Sequence, residues 1–169
     1  MTYSKVVTFT GHRPDKITNR DSQKSLLLEL LSKLDLSSTL FRVGGCPGFD
    51  TIALESLIEL GVPLNQITLM VPFKGFEKYA GHSHTAENSR VLKYNADLVD
   101  QGLTLIECGG YGTFGQKCYS RNQSLVDCAD IIFTNWDGTP GGTANTIKLA
   151  KQAKLSIINI NGEGDHNDL

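Results

Sequence analysis

Tyr119 to Ile160 reads YSRNQSLVDCADIIFTNWDGTPGGTANTIKLAKQAKLSIINI and holds a strand, a glycine-rich turn, a helix and a second strand in unbroken order. Ile131 to Trp136 is a short, largely apolar run, the composition of a strand buried on both faces of a parallel sheet. Asp137, Gly138, Thr139, Pro140, Gly141 and Gly142 then cluster as turn residues, and glycine lets a backbone approach a ligand more closely than any residue with a Cβ. From Thr143 onward Ala144, Ile147, Ala150 and Ala153 form one apolar stripe, with Lys148, Lys151, Gln152 and Lys154 on other faces, as in an amphipathic surface helix. Such a unit aims a helix N-terminus at a strand end, where free N–H groups and a partial charge of roughly +0.5 favour an anion such as phosphate. Thr139, Thr143, Asn145 and Thr146 add short polar groups. Taken alone, the same stretch also reads as a tight strand-to-helix turn capped by Thr143.

Two earlier strand ends carry related signals. Lys5 to Thr10 is a strand candidate that runs into Gly11, His12, Arg13 and Pro14, at the position where open α/β sheets bind ligands. Arg13 could fork onto a phosphate there, although a surface loop stiffened by Pro14 is the plainer reading of His12. Thr39 to Val43 supplies a second strand ending in Gly44, Gly45, Cys46, Pro47, Gly48, Phe49 and Asp50. Its helix, Thr51 to Leu60, stops at Gly61 with Pro63 beyond. Asp50 has two compatible readings, as the cap of that helix or as an acceptor for a ribose hydroxyl beside phosphate held by the glycines. With Asp137, Gly141 and Gly142, three glycine-bearing strand ends therefore point to one edge of a sheet and to a phosphate-bearing ligand.

The remaining pattern completes an α/β alternation. Leucines at 27, 30, 31 and 34 mark the buried face of a helix from Ser22 to Leu34. Ile67 to Val71 is a third strand, followed by Phe73, which could stack on a base or plug the edge of a core. A helix from about Thr85 to Leu98 and a strand from Leu103 to Glu107 follow. Cys108 to Lys117, with four glycines and two aromatics, reads as a flexible stretch, either a loop that closes over a ligand or a disordered connection. A helix from Ser120 to Cys128 would place Arg121 and Asn122 in its first turn, where a cation opposes the helix dipole. Arg121 then reads as a phosphate contact at the adjacent turn or as an exposed residue without a role. Ser156 to Ile160 is the last strand. About six strands with crossover helices predict a Rossmann-like three-layer sandwich with a mostly parallel sheet. One domain spans residues 1–161, and 162–169 read as a disordered acidic tail.

A length of 169 residues with 40% apolar content suits a single core. The net charge of −2 and pI near 6.1 make nucleic acid an unlikely partner on this reading, since non-specific binding needs a basic face. No apolar run reaches the ~18 residues of a membrane helix, and the first residues lack a signal-peptide pattern, so a cytoplasmic protein with no membrane partner is expected. Cys46, Cys108, Cys118 and Cys128 form no CxxC pair. Cys108 and Cys118 can be grouped with His82 and His84 on paper, but the spacing matches no zinc-ligand pattern. Neither a metal nor a cofactor is expected.

Five segments in order, TGHRP at Thr10 to Pro14, GGCPGFD at Gly44 to Asp50, VPF at Val71 to Phe73, SRNQSLVDCAD at Ser120 to Asp130 and WDGTPGGTANT at Trp136 to Thr146, span nearly the whole chain. As a set they resemble the SLOG superfamily, the Rossmann-like domains shared by LOG phosphoribohydrolases and the DNA-processing protein DprA. Within it, they are most similar to the small bacterial and phage proteins of the YpsA-like group. The resemblance implies a pocket for a nucleotide or nucleotide derivative over the strand ends, often in a homo-oligomer. LOG enzymes carry a PGGxGTxxE signature with a catalytic Glu. Aligned on Pro140, Gly141 and Gly142, this chain has Ala144, Asn145 and Lys148 at the third Gly, the Thr and the Glu, so the carboxylate is missing and the local charge is reversed.

The expected function is therefore a binding module, a sensor or sequestering protein for a nucleotide-derived signal such as an ADP-ribose derivative. Gly44, Gly45, Gly141, Gly142 and Thr143 would grip phosphate, with Arg13, Arg121 and Asp50 orienting the rest. The alternative is a hydrolase of a nucleotide N-glycosidic bond that uses Asp50, Asp130 or Asp137 in place of the absent Glu. DNA handling in the manner of DprA is disfavoured on this reading by charge.

Overall fold

The structure, a computed structural model, describes residues 3–76 and 86–161. Six strands, β1 (Lys5–Gly11), β2 (Thr39–Val43), β3 (Ile67–Val71), β4 (Thr104–Glu107), β5 (Ile131–Asn135) and β6 (Ser156–Asn159), form one sheet in the order β4-β3-β2-β1-β5-β6. Every neighbouring pair is parallel. Among the described residues five α-helices lie in the crossovers: α1 (Arg20–Leu31), α2 (Phe49–Glu59), α3 (Ala86–Asp100), α4 (Phe114–Val126) and α5 (Gly142–Gln152). The expected Rossmann-like α/β sandwich is the observed fold. His82, His84 and the acidic tail at 162–169 lie outside the described residues.

The period of two along each strand divides the interior into two layers. Val7 and Phe9 of β1, Phe41 and Val43 of β2, and Ile131 and Phe133 of β5 join Leu27, Leu30 and Leu31 of α1, Leu54 and Leu57 of α2, and Leu98 of α3 in the larger cluster. Phe9 lies at its centre, 6.4 Å from Phe41 and 5.8 Å from Phe133 between ring centroids. On the opposite face Ile132 meets Val126 of α4 and Ile147 and Ala150 of α5 in a smaller cluster. β3 and β5 are buried at every position, whereas β4, at one edge, exposes Thr104, Ile106 and Glu107.

The second face is also polar, and its two arginines, Arg42 half-buried and Arg121 buried, are tied to carbonyls. Arg42 of β2 donates from Nη1 to the carbonyls of Ser124 and Asp127 at the end of α4. Arg121 of α4 in turn donates from Nη1 to the Gly44 carbonyl at the end of β2, at 2.6 Å. A cation near the last carbonyls of a helix complements its dipole.

Several helix boundaries shift by a few residues from expectation, α1 ending at Leu31 before Leu34, and the start of α4 shifts most. α4 begins at Phe114, not near Ser120, and is preceded by a capping box in which Thr113 Oγ1 accepts from the Gln116 amide and Gln116 Oε1 accepts from the Thr113 amide. Residues 114–117, expected in the flexible segment, are thus helical. The signal was the Thr-x-x-Gln spacing, hidden among glycines.

Replacing Phe133 with alanine removes the partner of Phe9 at the centre of the larger cluster. It should cost about 3–5 kcal/mol of unfolding free energy, read by denaturant titration.

Candidate ligand-binding cleft

Strand order reverses at β1, since β2 to β4 lie on one side of it and β5 and β6 on the other. Loops leaving β1 and β5 therefore run to opposite faces, and a crevice opens between them at the carboxyl ends of the strands. A cleft of about 290 Å³ occupies this place. Gly11, His12, Arg13 and Lys16 line it from β1 and the loop after it, Cys46 from the β2 loop, Asp50 from the first turn of α2, and Arg121 and Asn122 from α4. Thr139, Pro140, Gly141, Gly142 and Thr143 complete the wall from the β5 loop and the start of α5.

Each loop is braced by another. The Phe49 amide donates to the His12 carbonyl at 3.0 Å, which joins the β2 loop to the β1 loop. Gly48 makes that approach possible: its φ is +109°, and a Cβ there would run into the His12 carbonyl and the Arg13 backbone. His12, 7% exposed, sets Nε2 2.7 Å from Asp137 Oδ1 and 3.0 Å from the Asp137 amide nitrogen, joining the β1 and β5 loops. Asp137 Oδ1 also accepts from the Thr139 hydroxyl at 2.5 Å and amide at 2.9 Å, and Lys16 Nζ donates to Thr139 Oγ1 at 2.7 Å. The Thr139 hydroxyl and amide hold the Asp137 carboxyl well below the usual carboxylate range, with His12 adding to the effect.

At the floor, Arg121 is 8% exposed and its guanidinium reaches the Gly44 carbonyl, the Met70 carbonyl at 3.4 Å and Cys46 Sγ at 3.9 Å, while Nε donates to Asn122 Oδ1. Its carbon Cζ lies 6.0 Å from the Phe76 ring centre. Asp50 accepts from the Cys46 amide at 3.1 Å. Burial pushes the Asp50 carboxyl up against the pull of Arg121, the Cys46 amide and Arg13.

α5 presents an open first turn. Its N-cap is Gly141, at φ +147°, with no side-chain cap. A Cβ at Gly141 or Gly142 would meet only open space. Amide donors and the positive end of the dipole are thus available on the cleft wall, in the same cleft as Arg13 and Lys16.

The structure sorts the expected site residues. Gly11, His12, Arg13, Asp50, Arg121, Asn122, Gly141, Gly142 and Thr143 come together, and Asp137 supports them through His12 and Thr139. Gly44 and Gly45 lie behind the wall. Gly44 leaves room for Asp50 and Arg121, and the Gly45 carbonyl accepts from Asn95 Nδ2. Phe73 is turned away from the cleft and packs against Phe76 and Phe114, with ring centres at 5.3 and 5.9 Å. Asn145 is outside the lining. Asp50 is the second residue of α2, whose N-cap is Gly48, so its carboxylate braces the loop before the helix instead of capping the helix. Arg121 lies in the interior of α4, not in its first turn, and so away from the positive end of the helix dipole. Its backbone contacts explain its place. Asp130 accepts from the Val6 amide at 2.7 Å, at the opposite edge of the sheet, and Asp137 is engaged by Thr139, which leaves Asp50 as the cleft carboxyl of the three. Lys16 and Cys46 are cleft residues that the linear pattern did not single out.

No protein-family profile matches the chain. No curated protein matches it either. Among solved structures, DNA processing protein A from Helicobacter pylori, described by its single-stranded DNA binding mode, superposes with a TM-score of 0.60 at 18% identity over 92% of this chain. TM1055, a structural genomics target, gives a TM-score of 0.58 at 19% identity, covering 97% of this chain and 78% of its own. DprA from Streptococcus pneumoniae gives 0.58 at 13% identity over 92% of this chain. The chain spans 64% and 49% of the two DprA chains, respectively. These likenesses establish the Rossmann-like fold shared with DprA, and the narrower YpsA-like resemblance finds no separate support in them. They also correct the view of nucleic acid as an unlikely partner, because one protein of this fold is described as binding single-stranded DNA. Net charge is a sum over the whole surface, whereas a phosphate responds to the local field, which here includes Arg13, Lys16 and the start of α5.

Two substitutions test the bracing. Gly48→Ala should destabilise by about 1–3 kcal/mol or more through strain and collision with the β1 loop. Gly61→Ala, at φ +73° but with open space around it, should cost only about 1 kcal/mol. Because the folded-state value of Asp137 lies below its ordinary 3.8, its contribution is present above that pH and is lost as pH falls through the folded value. Asp137→Asn should therefore melt below the parent protein at pH 6, with the gap closing under acid conditions.

Proposed function

We propose that the cleft binds a nucleotide or nucleotide-derived phosphorylated compound, of which ADP-ribose-type molecules are the leading class, and that the protein acts as a sensor or sequestering module for it. The reading is carried by one observation: the uncapped N-terminus of α5 opens into the strand-reversal cleft that Arg13 and Lys16 also line. Phosphate would accept from the Gly142 and Thr143 amides, Arg13 and Lys16 would neutralise it, and Asp50 and Asn122 would meet hydroxyls. Lys148, at the position of the LOG glutamate, is exposed and outside the cleft lining, which supports binding over phosphoribohydrolase chemistry by that route.

A second reading, hydrolysis of an N-glycosidic bond, is favoured by Asp50 alone. A buried cleft carboxyl whose proton is held more tightly than usual is suited to protonate a leaving base.

Thermal shift with AMP, NAD, ADP-ribose and a short single-stranded oligonucleotide separates the ligand classes. A ligand of the proposed kind at 100 times its dissociation constant should add about 2.7 kcal/mol of stability. Thr143→Glu places a carboxylate where phosphate would sit, in a helix turn that tolerates negative charge. It should abolish the shift while leaving the unliganded melting temperature within a few degrees. Chromatography of the mixtures after hours should return intact ligand, and recovery of free base with ribose phosphate would establish the hydrolase instead.

A further inference from the structure

The cleft carries hydrogen-bonding atoms that the protein does not use. Thr10, Asp50 and Asn122 line it, and each is 8% exposed. Asp50 employs Oδ2 on the Cys46 amide, and Asn122 employs Oδ1 on Arg121. Among the described residues, Asp50 Oδ1, Asn122 Nδ2 and Thr10 Oγ1 have no protein partner, yet they are not sealed like the unpartnered Asn95 Oδ1, Thr134 Oγ1 and Asn135 Oδ1. Such groups, nine-tenths buried but accessible, favour a guest that brings its own hydroxyls, because polar atoms desolvated without a partner are costly. The set is mixed: an acceptor at Asp50, a two-proton donor at Asn122 and a hydroxyl at Thr10. This matches vicinal sugar hydroxyls, each of which both donates and accepts.

A base is served differently. Bases are commonly gripped by stacking on aromatic or guanidinium planes. Among the described residues the aromatic lining of the cleft is Phe9 alone, at 0% exposure. Phe73 is packed on Phe76 and Phe114, and the Arg121 guanidinium is engaged with carbonyls. The volume of about 290 Å³ is at the small end of the ~300–1,000 Å³ range of ligand pockets.

Resting on the proposed phosphate-binding reading, we infer that the cleft recognises the phosphorylated pentose of its ligand and leaves the base unread, so that a sugar phosphate without any base is a sufficient ligand. Titration calorimetry on the full chain with ribose 5-phosphate, 2-deoxyribose 5-phosphate, AMP, CMP and adenosine tests this. Ribose 5-phosphate should bind within about tenfold of AMP, AMP and CMP should agree within about threefold, and adenosine should not bind. Removing one hydroxyl, in 2-deoxyribose 5-phosphate, should weaken binding about tenfold, as expected for a lost hydrogen bond to a charged or buried group. Thr10→Val, close in shape, should weaken ribose 5-phosphate about fivefold without altering the order of the other ligands. AMP bound more than a hundredfold tighter than ribose 5-phosphate, or AMP and CMP differing by a similar factor, would overturn the inference while leaving the nucleotide reading in place. No binding by any phosphorylated compound would overturn both.

Discussion

The parallel pairing of β1 with a strand on each side is the constraint from which the site follows. β2 and β5 both run alongside β1, and a parallel neighbour must be reached by a crossover above or below the sheet. The right-handed rule sends the path toward β4 over one face and the path toward β6 over the other. The exits of β1 and β5 must then part company, and no rearrangement of side chains can close the gap. The apolar layers merely fix how wide it is. Phe9, at the centre of the larger cluster, also forms part of the cleft lining, so core and cleft are continuous at that residue.

The gap is equipped by residues whose burial works against stability. Arg121 and Asp50 are both enclosed, and taking charges out of water costs several kcal/mol per ion unless hydrogen bonds compensate. Here the guanidinium is compensated mainly by carbonyls, not by direct pairing with a carboxylate. That arrangement leaves Asp50 with a free oxygen at the wall. A conventional bidentate pair between the two would have satisfied both carboxylate oxygens within the protein.

Much of this was legible in the chain itself. Alternation of short apolar runs with amphipathic segments fixed the class of fold, because a parallel sheet buries its strands on both faces and its helices on one. The glycine-rich turns at 44–48 and 138–142 and Gly-His-Arg at 11–13 marked the strand ends, since those backbones must bend sharply or approach one another closely. What a linear pattern does not carry is which way a side chain turns once the loops are packed. Phe73 has the same letter whether it faces a base or Phe76. The place of Arg121 is not legible because its helix begins six residues before the apparent start, at a Thr-x-x-Gln cap set among glycines that read as a loop. Lys16 gains its place through Thr139, 123 positions away, and the neighbouring Asp137, and no local period links them.

The exchange of guanidinium groups between β2 and α4 has a mechanical consequence. Arg42 fastens the end of the helix to the strand, and Arg121 fastens the end of the strand to the helix. Layered α/β proteins often accommodate their ligands by small sliding of packed helices across a sheet. Two rivets set in opposite directions along one helix forbid that travel, since a shift that relaxes one would strain the other. The wall that holds Asn122 is thereby fastened to the sheet from both directions.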